Sequence, residues 1–262
     1  MKEILVSLCG RGGSKGVRNK NIRPLCGIPL IAWTLYDAER LFESRDDIDV
    51  TIVVDSDSNT ILETARRFCP AALLHKRSDA LAGDRIAKMD VLREVLFDTV
   101  AERGKNFYAL IDLDITSPLR TSEDIEEAFS IFENHAFDVV FSVVPSRRNP
   151  YFNMVERDPS GSYRLSKPSG FIARQQAPQV YDMNASLYIY RPEIFKKNIN
   201  SPTSLDFGVF VMRDYGIIDI DSEEDLERME LLLTQGEHLL SEPLSRKREV
   251  MLAMAKRGGE GG

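Results

Sequence analysis

Tryptophan, histidine and cysteine are scarce in this chain of 262 residues, which holds one, three and three of them. The cysteines, Cys9, Cys26 and Cys69, show no paired metal-ligand spacing and are odd in number, which points away from a thiolate metal site and toward buried or idle thiols. His75, His135 and His238 are scattered without ligand or triad spacing, so none is assigned to catalysis. No apolar run approaches the roughly 18 residues of a membrane span, and the N-terminus lacks the segments of a signal peptide. The expectation is a cytoplasmic protein with no membrane partner. Positive charge is also short: 34 Lys and Arg stand against 41 Asp and Glu, a net charge of -7. That balance argues against a general nucleic-acid binder, whose phosphate contacts need a basic face. The two best-known phosphate loops are absent as well. The glycines do not give G-x-G-x-x-G in register with a following helix, and G-x-x-x-x-G-K-[ST] fails because Lys15 precedes Gly16 and Val17 stands where Ser or Thr belongs.

What is present is "LCGRGGSKGVRNKN", Leu8 to Asn21, directly after the apolar run Ile4 to Leu8. Gly10, Gly12, Gly13 and Gly16 allow backbone N–H groups to converge on phosphate oxygens, and Arg11, Lys15, Arg18 and Lys20 supply positive charge. The stretch therefore reads as an anion-holding loop at a strand end.

A composition of 43% hydrophobic and 29% charged residues is that of a globular protein with one large α/β domain, with or without an excursion. Strand-like and helix-like segments alternate: "PLIAWTLYDAERLF" after the glycine loop, "VTIVVDSD" then "NTILETARRF", and "KMDVLREVLFDTVAER" then "FYALIDLDI". Trp33 falls at helical spacing and is assigned to the core. Such alternation predicts a doubly wound, mostly parallel sheet with helices on both faces. Ligands of such sheets bind beyond the carboxyl ends of the strands, where the glycine loop, "DSDS" and "DLDITSPLR" all fall. Further on, "DVVFSVVP" and "ASLYIYR" read as strands, and "YGIIDIDSEEDLERMELLL" as a strand, a polar corner and a helix. Between them, residues 146–183 are rich in turns, with a hairpin turn at "DPSGS". The expected organisation is an α/β domain over 1–145 and 184–240, an excursion over 146–183 that packs on a second subunit, and a C-terminal helix and mobile tail over 241–262.

In the strand reading, Asp219 and Asp221 alternate with Ile218 and Ile220 and share one face. They can hold Mg²⁺ together with phosphates, or Asp221 can simply cap the helix after it. Asp112 and Asp114 form a second alternating pair. For Asp114 a sugar contact, a second cation site and a solvated strand end stay open.

"RGGSKGVRNKN" resembles the signature of the acylneuraminate cytidylyltransferases, and four further stretches resemble that family in the same order: "RSDALAGD", "TSPLR", "RQQAPQVYDMNASLYI" and "DIDSEEDL". The resemblance covers residues 1 to about 230 and implies a Rossmann-like nucleotidyltransferase fold. It also implies a reaction in which CTP and a nine-carbon 2-keto sugar acid give the CMP-sugar and pyrophosphate. By this resemblance Arg11 and Lys20 bear on the triphosphate, with Gly12, Gly13, Ser14, Lys15, Gly16, Asn21 and Arg77 around the nucleotide. Asp219 and Asp221 hold Mg²⁺, Asp221 being placed with Arg11 and Lys20 in catalysis, whereas the expectation of a homodimer comes from the length and turn content of residues 146–183. Asp114, Ser117, Arg174, Gln175, Asn184 and Tyr188 face the sugar acid, with Arg174 the candidate for its carboxylate because a planar guanidinium matches that group. The chain departs from the family at Arg18, Asp114-Ile115 and Ala185-Ser186. At Arg18 the loop loses the fixed φ of a proline and gains a charge, while the other two departures bear on the sugar and leave a legionaminic-acid-like substrate beside N-acetylneuraminic acid. Two rival readings are a transferase for an eight-carbon keto acid and a nucleotide-binding regulator without turnover.

Overall fold

The structure, a computed structural model, describes residues 1–13, 16–83, 86–215 and 219–259, the last three without their side chains. In chain order come strand β1 (Lys2–Cys9), the short hairpin β2 (Pro24–Leu25) and β3 (Ile28–Pro29), helix α1 (Leu30–Arg40), β4 (Ile48–Ser56), α2 (Asn59–Phe68), β5 (Leu73–Lys76) and α3 (Lys88–Arg103). Then follow β6 (Ala109–Leu113), α4 (Ser122–Asn134), β7 (Val139–Pro145), the hairpin β8 (Val155–Arg157) and β9 (Tyr163–Leu165), β10 (Tyr181–Tyr190), β11 (Phe207–Val211), α5 (Glu223–Gln235) and α6 (Glu242–Gly259).

Seven strands make one sheet in the order β11-β7-β10-β6-β1-β4-β5. Every neighbouring pair is parallel except those of β10, which runs antiparallel to β6 and to β7. The continuous apolar run of β1 reflects burial on both faces, the normal state of a central parallel strand. Its period-2 alternation sends Ile4, Val6 and Leu8 into one core layer and Leu5 into the other. The larger layer holds α1, α2, α4, α5 and α6 against the sheet, and Trp33 lies fully buried within it, donating its indole N–H to the Leu25 carbonyl at 3.3 Å. The smaller layer is capped by α3. The mostly parallel α/β expectation is met.

Three details differ from the sequence reading. Helix α4 and strand β11 were not singled out, although α4 opens on a capping box between Thr121 and Asp124. Strand β5 before "RSDALAGD" also has no counterpart in the sequence reading, being a four-residue edge strand too short to carry a pattern. The strand expected through "YGIIDID" is not found in its described C-terminal part. Residues 216–218 lie outside the described residues, and Asp219–Asp221 is not a sheet strand, being tied to the loop after β6 by a bond from the Ile220 N–H to the Thr116 carbonyl at 3.0 Å. One hydrogen bond to a loop does not make a ladder. The "DPSGS" turn does form the β8–β9 hairpin, with Asp158 Oδ1 accepting the N–H groups of Ser160 and Ser162.

Because β1, β4 and β6 are parallel neighbours, their carboxyl ends open on the same edge and bring together the glycine loop, Asp55–Ser58 and Asp114–Arg120. Trp33→Ala is expected to lower unfolding stability by about 3–5 kcal/mol through the cavity it leaves. A urea titration checks this, with a lower midpoint and an unchanged slope.

Candidate functional site

The glycine loop leaves β1 under tight packing. The Gly10 N–H donates to the Asp55 carbonyl at 2.9 Å, and the Gly12 N–H donates to Asp57 Oδ1 at 2.7 Å, so "DSDS" supports the loop from behind. At Gly12 a Cβ would meet the Ser58 Cβ at 2.9 Å, and at Gly16 it would overlap the Asp221 carbonyl oxygen. Close approach, more than freedom of φ, is what these two glycines supply. Asn21 is buried and donates to the Arg11 carbonyl at 2.9 Å, closing the loop on itself. The Lys20 ammonium lies 2.8 Å from Asp221 Oδ1.

These contacts wall a cleft of about 390 Å³ lined by Arg11, Gly13, Lys20, Asn21, Arg77, Lys88, Asp114, Thr116, Asp219 and Asp221, among others. Ser14 and Lys15 lie outside the described residues. Asp219 is half-buried, and burial raises its carboxyl pKa above the usual value, with the charges of Asp221 and Asp114 adding to the effect and Lys20 opposing it. Asp219 thus stands incompletely neutralised beside two further carboxylates, Asp114 and Asp221. The oxygen-only donor set suits a hard divalent cation, and Mg²⁺ takes one or two protein carboxylates beside phosphate and water. Among the described residues no group of three or more His, Cys, Asp or Glu is arranged to hold a metal unaided.

The opposite wall is a relay from the β4 end. Arg77 directs Nε and Nη2 at one oxygen of the buried Asp55, at 2.8 and 2.5 Å. The other Asp55 oxygen meets His75 Nδ1 at 2.9 Å, and His75 Nε2 meets Asp98 of α3 at 3.0 Å. The hydrogen bond to Asp55 raises the imidazole pKa to about 9; burial opposes this and Asp98 reinforces it.

At the end of β6, Asp112 and Asp114 project from one face and share Lys88, whose ammonium is 2.7 Å from Asp112 and 3.4 Å from Asp114. Burial raises the Asp112 pKa. At Asp114 burial acts the same way, but the Lys88 charge and the N–H and hydroxyl of Thr116, both donating to Oδ1, hold it below its usual value. Of the three readings of Asp114, a strand end merely facing water is the one these contacts remove.

The remaining sugar candidates separate. Tyr188 of β10 is partly buried next to Lys88 and the two aspartates, its ring stacked on Tyr190 at 5.8 Å. Ser117 and Asn184 are buried away from the cleft, lining a small cavity with Arg120, Met212 and Tyr215. Asn184 accepts from the Ser142 hydroxyl at 2.6 Å, because the bulge between Met183 and Tyr188 turns it into the core. Arg174 and Gln175 line a separate surface pocket with Ser146 and Pro178, and the Arg174 guanidinium donates to the Ser146 and Arg147 carbonyls at 3.3 Å. Within one chain, then, the six sugar candidates do not meet.

Lys88, Thr116, Asp55, Asp57 and the His75 relay escaped the sequence reading. Lys88 left a signal: a cation at the first position of a helix opposes the helix dipole, and such local misfits gather at functional sites. The relay left none, since Asp55, His75 and Asp98 meet only through the fold.

A model of the cytidylyltransferase family matches residues 8–241. The chain is 38% identical over 237 residues to post-translational flagellin modification protein B of Campylobacter coli, which covers 90% of this chain and 97% of that protein. It is 40% identical over 236 residues to CMP-N,N'-diacetyllegionaminic acid synthase of Campylobacter jejuni, covering 89% and 96%. N-acylneuraminate cytidylyltransferase A of Danio rerio is 27% identical over 86% of this chain and 49% of its own length. Among solved structures, CMP:2-keto-3-deoxy-manno-octonic acid synthetase complexed with CTP superposes with a TM-score of 0.65 at 15% identity, over 90% of this chain and 100% of that one, a likeness of fold.

The relay carries a pH signature. A folded-state pKa raised from 6.5 to about 9 gives stability that is fully present below pH 6.5 and lost as pH rises through about 9. Relative to His75→Gln, the protein is expected to gain up to about 2 kcal/mol near pH 6, after allowance for the exposed Asp98, and nothing above about pH 10. Urea unfolding of both proteins across that range tests it.

Proposed function

The chain belongs to the cytidylyltransferase family, and from that premise we propose that it activates a sialic-acid-like nonulosonic acid with CTP, giving the CMP-sugar and pyrophosphate. One observation carries the reading: a single cleft sets Arg11, Lys20, Asn21 and Arg77 across from Asp114, Asp219 and Asp221. In this reaction the anomeric hydroxyl oxygen bonds to the α-phosphorus, the bond from that phosphorus to the bridging oxygen breaks, and pyrophosphate leaves with the electron pair while the hydroxyl proton passes to solvent. Little covalent work falls to the protein, so charge placement dominates. Arg11 and Lys20 bear on the triphosphate. Asp219 and Asp221 would hold Mg²⁺, which when bound would supply Lewis-acid withdrawal of charge from the phosphates. Arg77, held from behind by Asp55, keeps a fixed direction toward the nucleotide.

The legionaminic-acid class is favoured for the sugar, since identity to the Campylobacter synthase is 40% and to the Danio rerio N-acylneuraminate enzyme 27%. Asp114, beside Lys88 and Tyr188, is the residue we assign to sugar choice. The use of CTP puts the reaction in the cytoplasm; among the described residues no helix is long and apolar enough to cross a membrane.

Assembly belongs to the same proposal. Phe152, Met154, Val155, Phe171 and Ile172 of the excursion are exposed, Ile172 to 88%, as are Phe207, Val209 and Val211 of the edge strand β11. Large apolar side chains left in water favour a protein partner. A homodimer covers them and carries Arg174 toward the neighbouring subunit's sugar, which explains why it stands apart in one chain.

Pyrophosphate release from CTP with a panel of keto sugar acids is the test. Turnover is expected with nine-carbon acids, best with legionaminic acid. Preference for an eight-carbon acid, or CTP binding with no turnover at all, would replace the proposal with one of its rivals. Asp221→Ala is expected to cut kcat at least about a hundredfold, the size of losing one strong electrostatic stabiliser. Asp114→Gln is expected to alter sugar preference and leave the Kd of CTP, measured by calorimetry, nearly unchanged. Light scattering at micromolar protein should return twice the chain mass.

A further inference from the structure

Helix α6 lies wholly beyond residue 241, where the family match ends, yet it reaches back into a buried cluster of charges. Lys247 projects from α6 with its side chain only 2% exposed. Its ammonium donates to Asp37 Oδ2 of α1 at 2.7 Å and to the carbonyls of Pro118 and Arg120, each at 2.8 Å. All three ammonium donors are therefore used, and two go to the backbone of the loop that follows β6. Leu244 and Met251, fully buried, fix the helix on either side.

The same loop reaches the cleft through Arg120. Its guanidinium, fully buried, donates from Nη1 to the Ser186 carbonyl at 2.6 Å and from Nη2 to the Asp114 carbonyl and the Thr34 hydroxyl, both at 3.0 Å. The Asp114 N–H donates to the same Ser186 carbonyl at 3.1 Å. The Asp114 peptide is thus held at both ends, and farther along the loop the Thr116 carbonyl accepts from Ile220, between the two candidate metal ligands. A path of hydrogen bonds runs from Lys247 to the loop carbonyls, through Arg120 to Asp114, and through Thr116 to Asp219 and Asp221.

The cluster is costly as a stability device. Two cations share one fully buried carboxylate, and Asp37 Oδ1 and Arg120 Nε have no hydrogen-bond partner among the described residues. Burial pushes Asp37 up to about 6 and Lys247 down from its usual value. A well-packed apolar set often serves stability as well or better than buried charges, so a geometric role is the more economical account of this one.

We infer that Lys247 is a positioning residue which, from the C-terminal helix, fixes the loop carrying Asp114 and Thr116 and thereby the sugar side of the cleft. The inference rests on the cytidylyltransferase reading for its kinetic arm only. Its test uses the full chain with Lys247→Met, which leaves Asp37 paired with Arg120, and with Asp37→Asn/Lys247→Met, which removes the Asp37–Lys247 pair and leaves Arg120 held by its carbonyl and hydroxyl acceptors alone. Steady-state rates are measured with the preferred acid and CTP, calorimetry gives the Kd of CTP, and hydrogen exchange follows the amides of 114–121 against those of β1. The expected result in both variants is a kcat lower by about thirtyfold or more, a raised KM for the acid, a Kd for CTP changed by less than about threefold, and exchange at 114–121 at least about ten times faster with β1 unchanged. The inference is overturned if the double variant exchanges and turns over like the parent. It is equally overturned if acid and CTP binding weaken together, or if Lys247→Met, in which Asp37 keeps Arg120 as its partner, fails to fold, since Lys247 would then serve stability alone. If the parent itself shows no turnover, the functional reading fails while the exchange data still decide the inference.

Discussion

The contact between the Gly16 backbone and the Asp221 carbonyl is the constraint from which the rest of the site follows. It leaves no room for a side chain. It brings a loop from the start of the chain against a corner near its end, and the Lys20–Asp221 ion pair forms across the same seam. With that seam closed, the cations of the first strand end face the carboxylates of the last segment across one cleft, an arrangement in which a polyphosphate and a divalent cation can each find partners of opposite charge.

Charge in the cleft is paired before any ligand arrives. Lys20 meets Asp221, Arg77 meets Asp55, and Lys88 meets Asp112 and Asp114. The pairing keeps long side chains in place in a partly dry environment, so an anion finds donors already directed and little reorganisation is required. Asp55 illustrates the layering. One of its oxygens directs Arg77 and the other is held by His75, which is itself braced by α3 through Asp98.

The sugar side is built differently. Here backbone carbonyls of the loop after β6 are gripped by buried cations, Arg120 from the loop itself and Lys247 from the C-terminal helix. Buried cations on backbone acceptors restrain position strongly because an unsatisfied alternative is expensive in a low-dielectric interior. The nucleotide wall thus depends on glycine packing and ion pairs, while the sugar wall depends on a buried network tied to the far end of the chain.

Much of this was legible in residues taken in order. Hydrophobic period and strand-end loops predicted the mostly parallel α/β fold, and the glycine loop and Asp114 fall at the cleft because local pattern determines which strand ends carry polar loops; Arg77 and the Asp219–Asp221 pair, whose roles came from the family resemblance, line it too. What only the tertiary structure decided is which of the other residues meet. Asn184 turns inward at a bulge that no pattern in "YDMNASLYIY" announces, Ser117 of the loop after β6 is buried beside it, and Arg174 sits in a pocket of its own. Asp55, His75 and Asp98 become a relay, and Asp37, Arg120 and Lys247 become a buried cluster, although each lies on a different element. The physical reason is range: periodicity and turn chemistry act over a few residues, whereas a buried charge finds its partner only after strands and helices distant in sequence have packed.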